Sequence, residues 1–353
     1  MAPTSDRRRR VTITDVARHA GVSKSAVSKV LRNAYGVSPA MRERVSSAMA
    51  ELDYRPHAAA RGMRGRTYTI GVLLDNIRNA FFADILDGVN TELRDGDYQV
   101  LIGAAGFAEE DQTKLARALV DRQMDGLILI GPGFPRAEVL RTAATVPTVV
   151  IGHHDVAEEH DSVVDADALG AGLVVDHLVA LGHRRIALTS TAGNRGSGWT
   201  GTPERVQRRG YHEAMRRHGL EDLARVAMTA FSEEGGYRAG MELLASAERP
   251  TAVFAGADVA AMGVFRAARE LGLRIPEDFS LVGYNNTAVA ALAPVRLTSV
   301  DQAGGLMGAT AARLLLERVE GRTRSVLMTV SPTLVHRDTT GPPPPEPAGP
   351  PGG

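Results

Sequence analysis

The sequence contains no cysteine, which excludes a disulfide framework, a thiolate metal site and a cysteine nucleophile, and agrees with a reducing compartment. Aromatic residues are few, 5% with a single tryptophan. No apolar run approaches the roughly 18 residues that a membrane span needs, so no membrane partner is expected. The opening MAPTSDRRRR is basic but is followed by no apolar h-region, so a secretory signal is not expected either, and the cytoplasm is the expected location. Neither a phosphate-cradling GxxxxGK[ST] loop nor a GxSxG nucleophile elbow occurs, which removes two common routes to an enzyme.

Net charge is also missing: 41 Lys and Arg face 41 Asp and Glu. The balance is a cancellation. Residues 1 to 66 hold 14 basic and 5 acidic side chains, or +9, and the rest of the chain holds 27 and 36, or −9. Such asymmetry points to a basic module for a polyanion joined to an acidic body with another task. The length of 353 residues fits two or three domains at roughly 100 to 200 residues each.

From residue 12 to about 63 the pattern is short and helical. Thr12, with Asp15 three positions on, can cap a first helix whose Ile13, Val16, Ala17 and Ala20 share a face. Gly21 stops it and Ser23 caps the next, which turns Val27, Val30 and Leu31 inward. This is a helix-turn-helix. Ser38-Pro39 opens a third helix that buries Val45, Ala48, Met49 and Leu52. The segment HAAARGMRGR that follows is too short and glycine-rich to stay helical alone in water, and should fold only against a partner.

From Tyr68 onward, apolar runs of strand length alternate with helical stretches: TIGVLL, YQVLIGA, GLILIG and TVVIG, then RIALTS, ARVAMTAF, TAVFAGA and FSLVGY. This alternation predicts two parallel-sheet α/β units with helices on both faces. Ligands of such sheets lie at the carboxyl ends of the strands, so a two-lobed body predicts a cleft between its lobes. The closing GPPPPEPAGPPGG, seven prolines and four glycines, cannot bury a core and is expected to be disordered.

The strings VTITDVARHAGVSKSAVSKVLRN, VSPAMRERVSSAMAELDYRPHAAARGM, TIGVLL, HLVALGHRRIAL, RPTAVFAGADVAAMGV, LGLRIPEDFSLVGYNN and LTSVDQ, in this order over residues 11 to 338, resemble the LacI/GalR family of bacterial transcription regulators. The resemblance implies an N-terminal all-α helix-turn-helix domain with a hinge helix, followed by a two-lobed α/β body like a periplasmic binding protein. The expected boundaries are a basic disordered tail over 1–11, the DNA-binding domain over 12–55, a hinge over 56–67, the body over 68–338 and a disordered tail over 339–353. Within the body, lobe 1 is expected over about 68–168 and 287–305, and lobe 2 over about 169–286 and 306–338. The implied function is a homodimeric, nucleoid-associated repressor on a near-palindromic operator, with half-sites one turn of roughly 34 Å apart, modulated by a small-molecule effector. An activator or an effector-independent regulator of the same family is the alternative.

For base reading the candidates are Lys24, Ser25, Ala26 and Lys29, which flank the buried stripe near the start of the second helix; Ala26 offers only a methyl contact. The alternative for the lysines is a solvated face. Thr12, Ser23, Ser28, Arg32 and Tyr54 are expected at phosphates or in positioning roles. The resemblance places the hinge in the minor groove, with His57, Ala60 and Arg61 beside a wedge at Met63, where the family usually has leucine. Residues 7 to 10 add phosphate contacts or form a free basic tail.

For the effector cleft the candidates are Asp75, Phe81, Phe82, Asp165, Trp199, Gln207, Arg208, Phe231, Ala257, Asn285 and Gln302. Phe231 stands at the family's stacking aromatic, with core packing as its alternative, and Gln302 at a polar cleft position. Three positions depart from the family pattern: Gln207 with Arg208 beside it replaces an arginine, Ala257 an asparagine, and Asn285 an aspartate. A cation, an amide and an anion that would clamp sugar hydroxyls are thereby absent, so the effector is expected not to be a typical neutral sugar. Trp199, in the glycine-rich NRGSGWTGTPE, is expected at the cleft mouth as a lid or stacking platform, or else as an exposed ring.

Rival functions are weaker. His153, His154, Asp155 and His160 match no standard metal spacing, DVAEEHD reads as a solvated loop, and no metal, cofactor or catalytic residue is expected. An exported binding protein would lack residues 12 to 63. A nonspecific architectural DNA binder is told apart by its indifference to a palindrome.

Overall fold

The computed structural model describes residues 11–31, 34–54, 66–193 and 197–345. Its contacts divide the chain into two units, residues 1–68 and 69–353. In the first, Thr12 forms a capping box with Asp15 at the start of α1 (Ile13–His19). Gly21 takes φ +65°, the left-handed conformation that ends a helix without a Cβ penalty. Ser23 Oγ accepts from Ala26 N at 3.1 Å and caps α2 (Lys24–Leu31). Ser38 caps α3 (Pro39–Glu51), with proline at the first helical position. Val16, Ala17, Val27, Val45, Ala48 and Tyr54 form the buried core between the helices. The expected helix-turn-helix and third helix are in place.

The body begins with β1 (Thr69–Leu74), α4 (Ala80–Leu93), β2 (Gln99–Ala104), α5 (Glu109–Asp121), β3 (Gly126–Ile130), α6 (Arg136–Ala143), β4 (Thr148–Ile151) and β5 (Asp161–Asp165). It continues with α7 (Asp167–Ala180), β6 (Ile186–Ser190), α8 (Pro203–Arg217), β7 (Arg225–Met228), α9 (Glu233–Leu244), β8 (Ala252–Ala255), α10 (Asp258–Glu270), β9 (Ser280–Tyr284), β10 (Thr298–Asp301), α11 (Gly304–Val319), β11 (Leu327–Val330) and β12 (Thr333–Val335). All eight expected apolar runs are strands. They form two six-stranded sheets, ordered β11-β5-β4-β3-β1-β2 and β12-β10-β9-β8-β6-β7. Every pairing is parallel except that of β12 with β10. The central strands are buried on both faces, as parallel strands under helices must be.

The lobe boundaries correct the expected ones. β10 pairs in parallel with β9, Thr298 opposite Val282, so residues 287–303 belong to lobe 2. α11 and β11 belong to lobe 1, where Met307, Ala311 and Leu315 enter the core. The chain therefore crosses between lobes three times, after β5, β10 and β11. A leucine-rich helix carries no mark in its sequence of which sheet it covers. What fixes α11 is close approach: a Cβ on Gly308 would lie 1.9 Å from Ile85 O, and one on Gly88 2.0 Å from Gly305 O, so α4 and α11 touch backbone to backbone.

The tail also needs correction, because its first residues are packed. Thr339 is buried; its carbonyl accepts from Leu281 N at 2.8 Å and its hydroxyl from Thr298 N at 2.9 Å. Gly341 O accepts from His183 Nε2 at 2.9 Å. Residues 346–353 lie outside the described residues. Among the described residues no helix is long and apolar enough to cross a membrane.

Candidate nucleic-acid interface and ligand cleft

On the head, the capped start of α2 holds Lys24 and Ser25 exposed, and Lys29 follows one turn on, also exposed. Ala26 and Ser28 are half-buried, and Val27 is fully buried against α1 and α3. No acidic residue stands in the first turn of α2, so the positive end of the helix dipole and Lys24 add to one another. Two of the expected positioning residues are committed within the head. The Thr12 hydroxyl lies 2.6 Å from Asp15 Oδ2, and the Ser23 hydroxyl serves the cap and lies 2.8 Å from that of Ser25. Tyr54, expected at a phosphate, is a core residue with 7% of its surface exposed; it joins Val16, Val27 and Val45 in a core too small to spare a large ring. Arg32, His57, Ala60, Arg61, Met63 and residues 7 to 10 lie outside the described residues.

In the body, two adjoining cavities of about 520 and 180 Å³ lie between the lobes. Asp75, just past β1, and Asn79 and Phe82 at the start of α4 border both, as do His153, Glu204 and Phe231. The smaller one is also lined by Phe81, Asp165, Gln207, Ala257, Asn285 and Gln302. The structure thus brings together at this cleft every expected residue but one. Arg208 borders neither cavity; its guanidinium donates to Ser190 Oγ at 3.0 Å and Thr191 O at 3.1 Å, so it does not stand in for the arginine missing at Gln207.

Trp199 borders the larger cavity but is neither exposed nor a free lid. Only 4% of it is accessible. The ring joins the lobe 1 core beside Phe134 and Val139, and its Nε1 donates to Phe134 O at 2.9 Å. Around it the loop from lobe 2 is clasped to lobe 1: Arg136 N donates to Ser197 O at 2.7 Å, His154 N to Gly201 O at 2.8 Å, and Gly201 N to Asp155 Oδ2 at 2.7 Å. The segment expected to be a solvated loop is part of this clasp, with His153 and His160 buried. The His153 ring meets that of Trp199 edge to face at 4.2 Å, and burial drops its pKa to about 3.

Sequence reasoning named Asp165 but missed the groups beside it. Asp165 and Asp167, at the end of β5 and the start of α7, are both almost fully buried. Tyr284 Oη donates to Asp165 Oδ2 at 3.0 Å, and His154 Nε2 lies 2.7 Å from Asp167 Oδ2. Burial, then the neighbouring Asp165, hold the Asp167 carboxyl well above the usual carboxylate range. Ligand atoms of His154, Asp165 and Asp167 come within 4.8 Å of one another, a grouping that the expectation of no metal site did not contain. The signal was an Asp-x-Asp pair at the end of a polar strand, DSVVDAD, which hydropathy does not mark. Glu204, also missed, is buried after Pro203 and bonded to the Thr202 hydroxyl. Asp75 is pushed up to about 6 by burial. Asn285 holds φ +111°, a backbone state rare for a residue with a side chain and typical of sites where geometry is imposed for function.

A two-lobed body with a polar cleft, preceded by a helix-turn-helix with a basic second helix, defines a ligand-binding transcription regulator. Residues 12–57 match the profile of bacterial regulatory proteins of the lacI family, and residues 175–340 that of the periplasmic binding protein-like domain. The chain is 31% identical to the ribose operon repressor of Escherichia coli strain K12 over 92% of this chain and 98% of that protein. It is 34% identical to the HTH-type transcriptional repressor PurR of Erwinia tasmaniensis over 92% and 96%. The crystal structure of the lac repressor dimer bound to operator and the anti-inducer ONPF superposes with TM-score 0.76 at 29% identity, covering 94% of this chain and all of that one. The chain belongs to the LacI family: it is a DNA-binding transcription regulator and not an enzyme.

Proposed function

We propose that the chain is a cytoplasmic, nucleoid-associated repressor that binds a near-palindromic operator as a homodimer and changes its DNA affinity when the inter-lobe cleft is filled. The observation that carries this is the combination of an exposed, basic, well-capped α2 with an inter-lobe cleft on the same chain. Lys24, Ser25, Ala26 and Lys29 read base edges; Ser28 and Arg32 meet phosphates; Met63, with His57, Ala60 and Arg61, enters the minor groove. The relatives named above are repressors, and one of the similar structures is a dimer on its operator.

A dimer is supported by the edge of the first sheet. β2 leaves Leu101 and Ile102 41% and 47% accessible. An apolar sheet edge of this kind is a liability in a monomer. The coupling is linkage: a ligand that prefers one arrangement of the two lobes shifts operator affinity by its differential affinity for the two states.

The test is selection of bound sequences from a random DNA pool with the full chain. A palindromic consensus is expected, and binding without consensus would return the protein to the nonspecific binders. Lys29→Ala should change the preferred base at one position of each half-site; an equal loss on all sequences would make Lys29 a phosphate contact.

A further inference from the structure

We propose that the effector of this cleft is an organic cation: an amine, protonated at neutral pH, on a compact frame. The inference rests on the reading of the cleft as the effector site and names its chemical class.

The walls carry carboxyl groups and no cation among the described residues. Asp75 and Glu204 border both cavities, and Asp165 and Asp167 border the smaller one. No Lys or Arg stands among the described residues lining either. Among the described residues the basic side chain that borders both is His153, whose ring packs edge to face on Trp199. Burying a carboxylate without a cation is costly, and in free protein the cost falls on groups such as Asp75, whose proton affinity is raised by burial. An ammonium group placed there removes that cost, whereas a phosphorylated or carboxylated ligand adds to it.

The unused hydrogen-bonding atoms point the same way. Gln207 Oε1 and Asn285 Oδ1 are buried without a partner. Their own nitrogens are engaged elsewhere: Gln207 Nε2 donates to Gly256 O at 3.3 Å, and Asn285 Nδ2 to Gln302 Oε1 at 2.5 Å. Turning the Gln207 amide over would set its oxygen against that of Gly256. Both residues line the smaller cavity, and each buried oxygen is an acceptor for which a ligand can bring a donor. These are two of the positions where the family's arginine and aspartate are replaced.

The remaining wall is aromatic. Phe82 and Phe231 border both cavities, and Phe107 the larger. Ring faces attract an alkylammonium and cover its carbon frame, and a combined space of this size suits a small organic molecule. A bare metal ion would engage His154, Asp165 and Asp167 and make no use of the rings.

The test uses matched probes on the full chain at pH 7.5, followed by calorimetry and by the fluorescence of Trp199, the sole tryptophan and a cavity-wall residue. The probes are glucosamine against glucose and N-acetylglucosamine, 1,4-diaminobutane and spermidine against 1,4-butanediol, glucose 6-phosphate, and zinc alone. At least one amine is expected to bind tenfold or more tightly than its neutral partner. Its affinity should fall at least tenfold in Asp75→Asn and in Phe231→Ala, each verified to keep a cooperative melting transition no lower than needed for a folded body at the assay temperature. A neutral or phosphorylated probe that binds as well as the amines, through Phe231, overturns the cation and leaves the cleft as the effector site. A Trp199 response to zinc alone, lost in His154→Ala, overturns it in favour of a metal centre. No Phe231-dependent binding of any probe overturns both this inference and the effector reading.

Discussion

In the head, the polar residues of α2 stand at the surface around a core of six buried side chains; in the body, carboxylates and amides are buried between two lobes with four hydrophobic clusters behind them. The difference follows from what each region binds. DNA is met from outside, so the head needs only a rigid helix with its donors in solvent, and a thin core suffices to hold it. A small ligand is enclosed, so the body must desolvate polar groups before the ligand arrives, and a much larger apolar mass has to support that cost.

The comparison breaks most sharply at the helix contacts of the body. Gly308→Val places a side chain 1.9 Å from Ile85 O, a backbone atom that cannot yield without moving α4. The expected loss is at least about 4 kcal/mol, the range of exceptional substitutions, and denaturant unfolding should show no native body. The head answers to a smaller insult. Val27→Asp puts a charge at a fully buried position of its small core and should cost about 3 kcal/mol, abolishing operator binding while the main unfolding transition of the body stays in place. A shift of that transition by more than a few degrees would show that head and body fold as one.

Trp199→Ala separates the clasp from the two lobes. Deleting a buried indole with its hydrogen bond to Phe134 O is expected to cost about 3 kcal/mol, and limited proteolysis should then cut the segment around residues 191–202 first. Stability equal to wild type would mean that the loop holds the lobes by its backbone bonds alone.

The same contrast decides what the sequence made legible. The head is local: caps, the glycine stop and the inward stripe of Val27, Val30 and Leu31 all lie within a few residues of one another, and the helices follow their pattern to within about a turn. The strands of the body were legible because double burial makes them apolar throughout. Lobe membership of α11 was not, since backbone contact between glycines of α4 and α11 joins segments more than 200 residues apart. The cleft was legible where the family resemblance marked positions such as Phe231, Gln302 and Asn285. It was not legible at Asp167, Glu204 and His154, whose proximity depends on the crossing of the chain between lobes. The burial of Trp199 was not legible for a related reason: a lone tryptophan in a glycine-rich loop gives no sign that the opposite lobe offers its ring a place in the core.

The smallest expected effect concerns charge in the cleft. Asp75 has a folded pKa of about 6 against 3.8 unfolded, so the native state holds this proton more tightly, and acidification from 7 to 4 favours the fold through this group. The limit is about 3 kcal/mol for a shift of this size, reduced to about 1 kcal/mol by the solvent that still reaches the carboxylate. His153 acts with the opposite sign. Its pKa falls from 6.5 to about 3 on folding, so its neutral form is native and stability is lost as pH drops from 6.5 toward 3. Asp75→Asn should therefore be more stable than wild type at pH 7 and lose that advantage by pH 4, with denaturation midpoints across the range as the measurement. A pH-independent difference would mean that Asp75 is solvated in the free protein, and that the cleft, unlike the head, does not bury its charge before its ligand arrives.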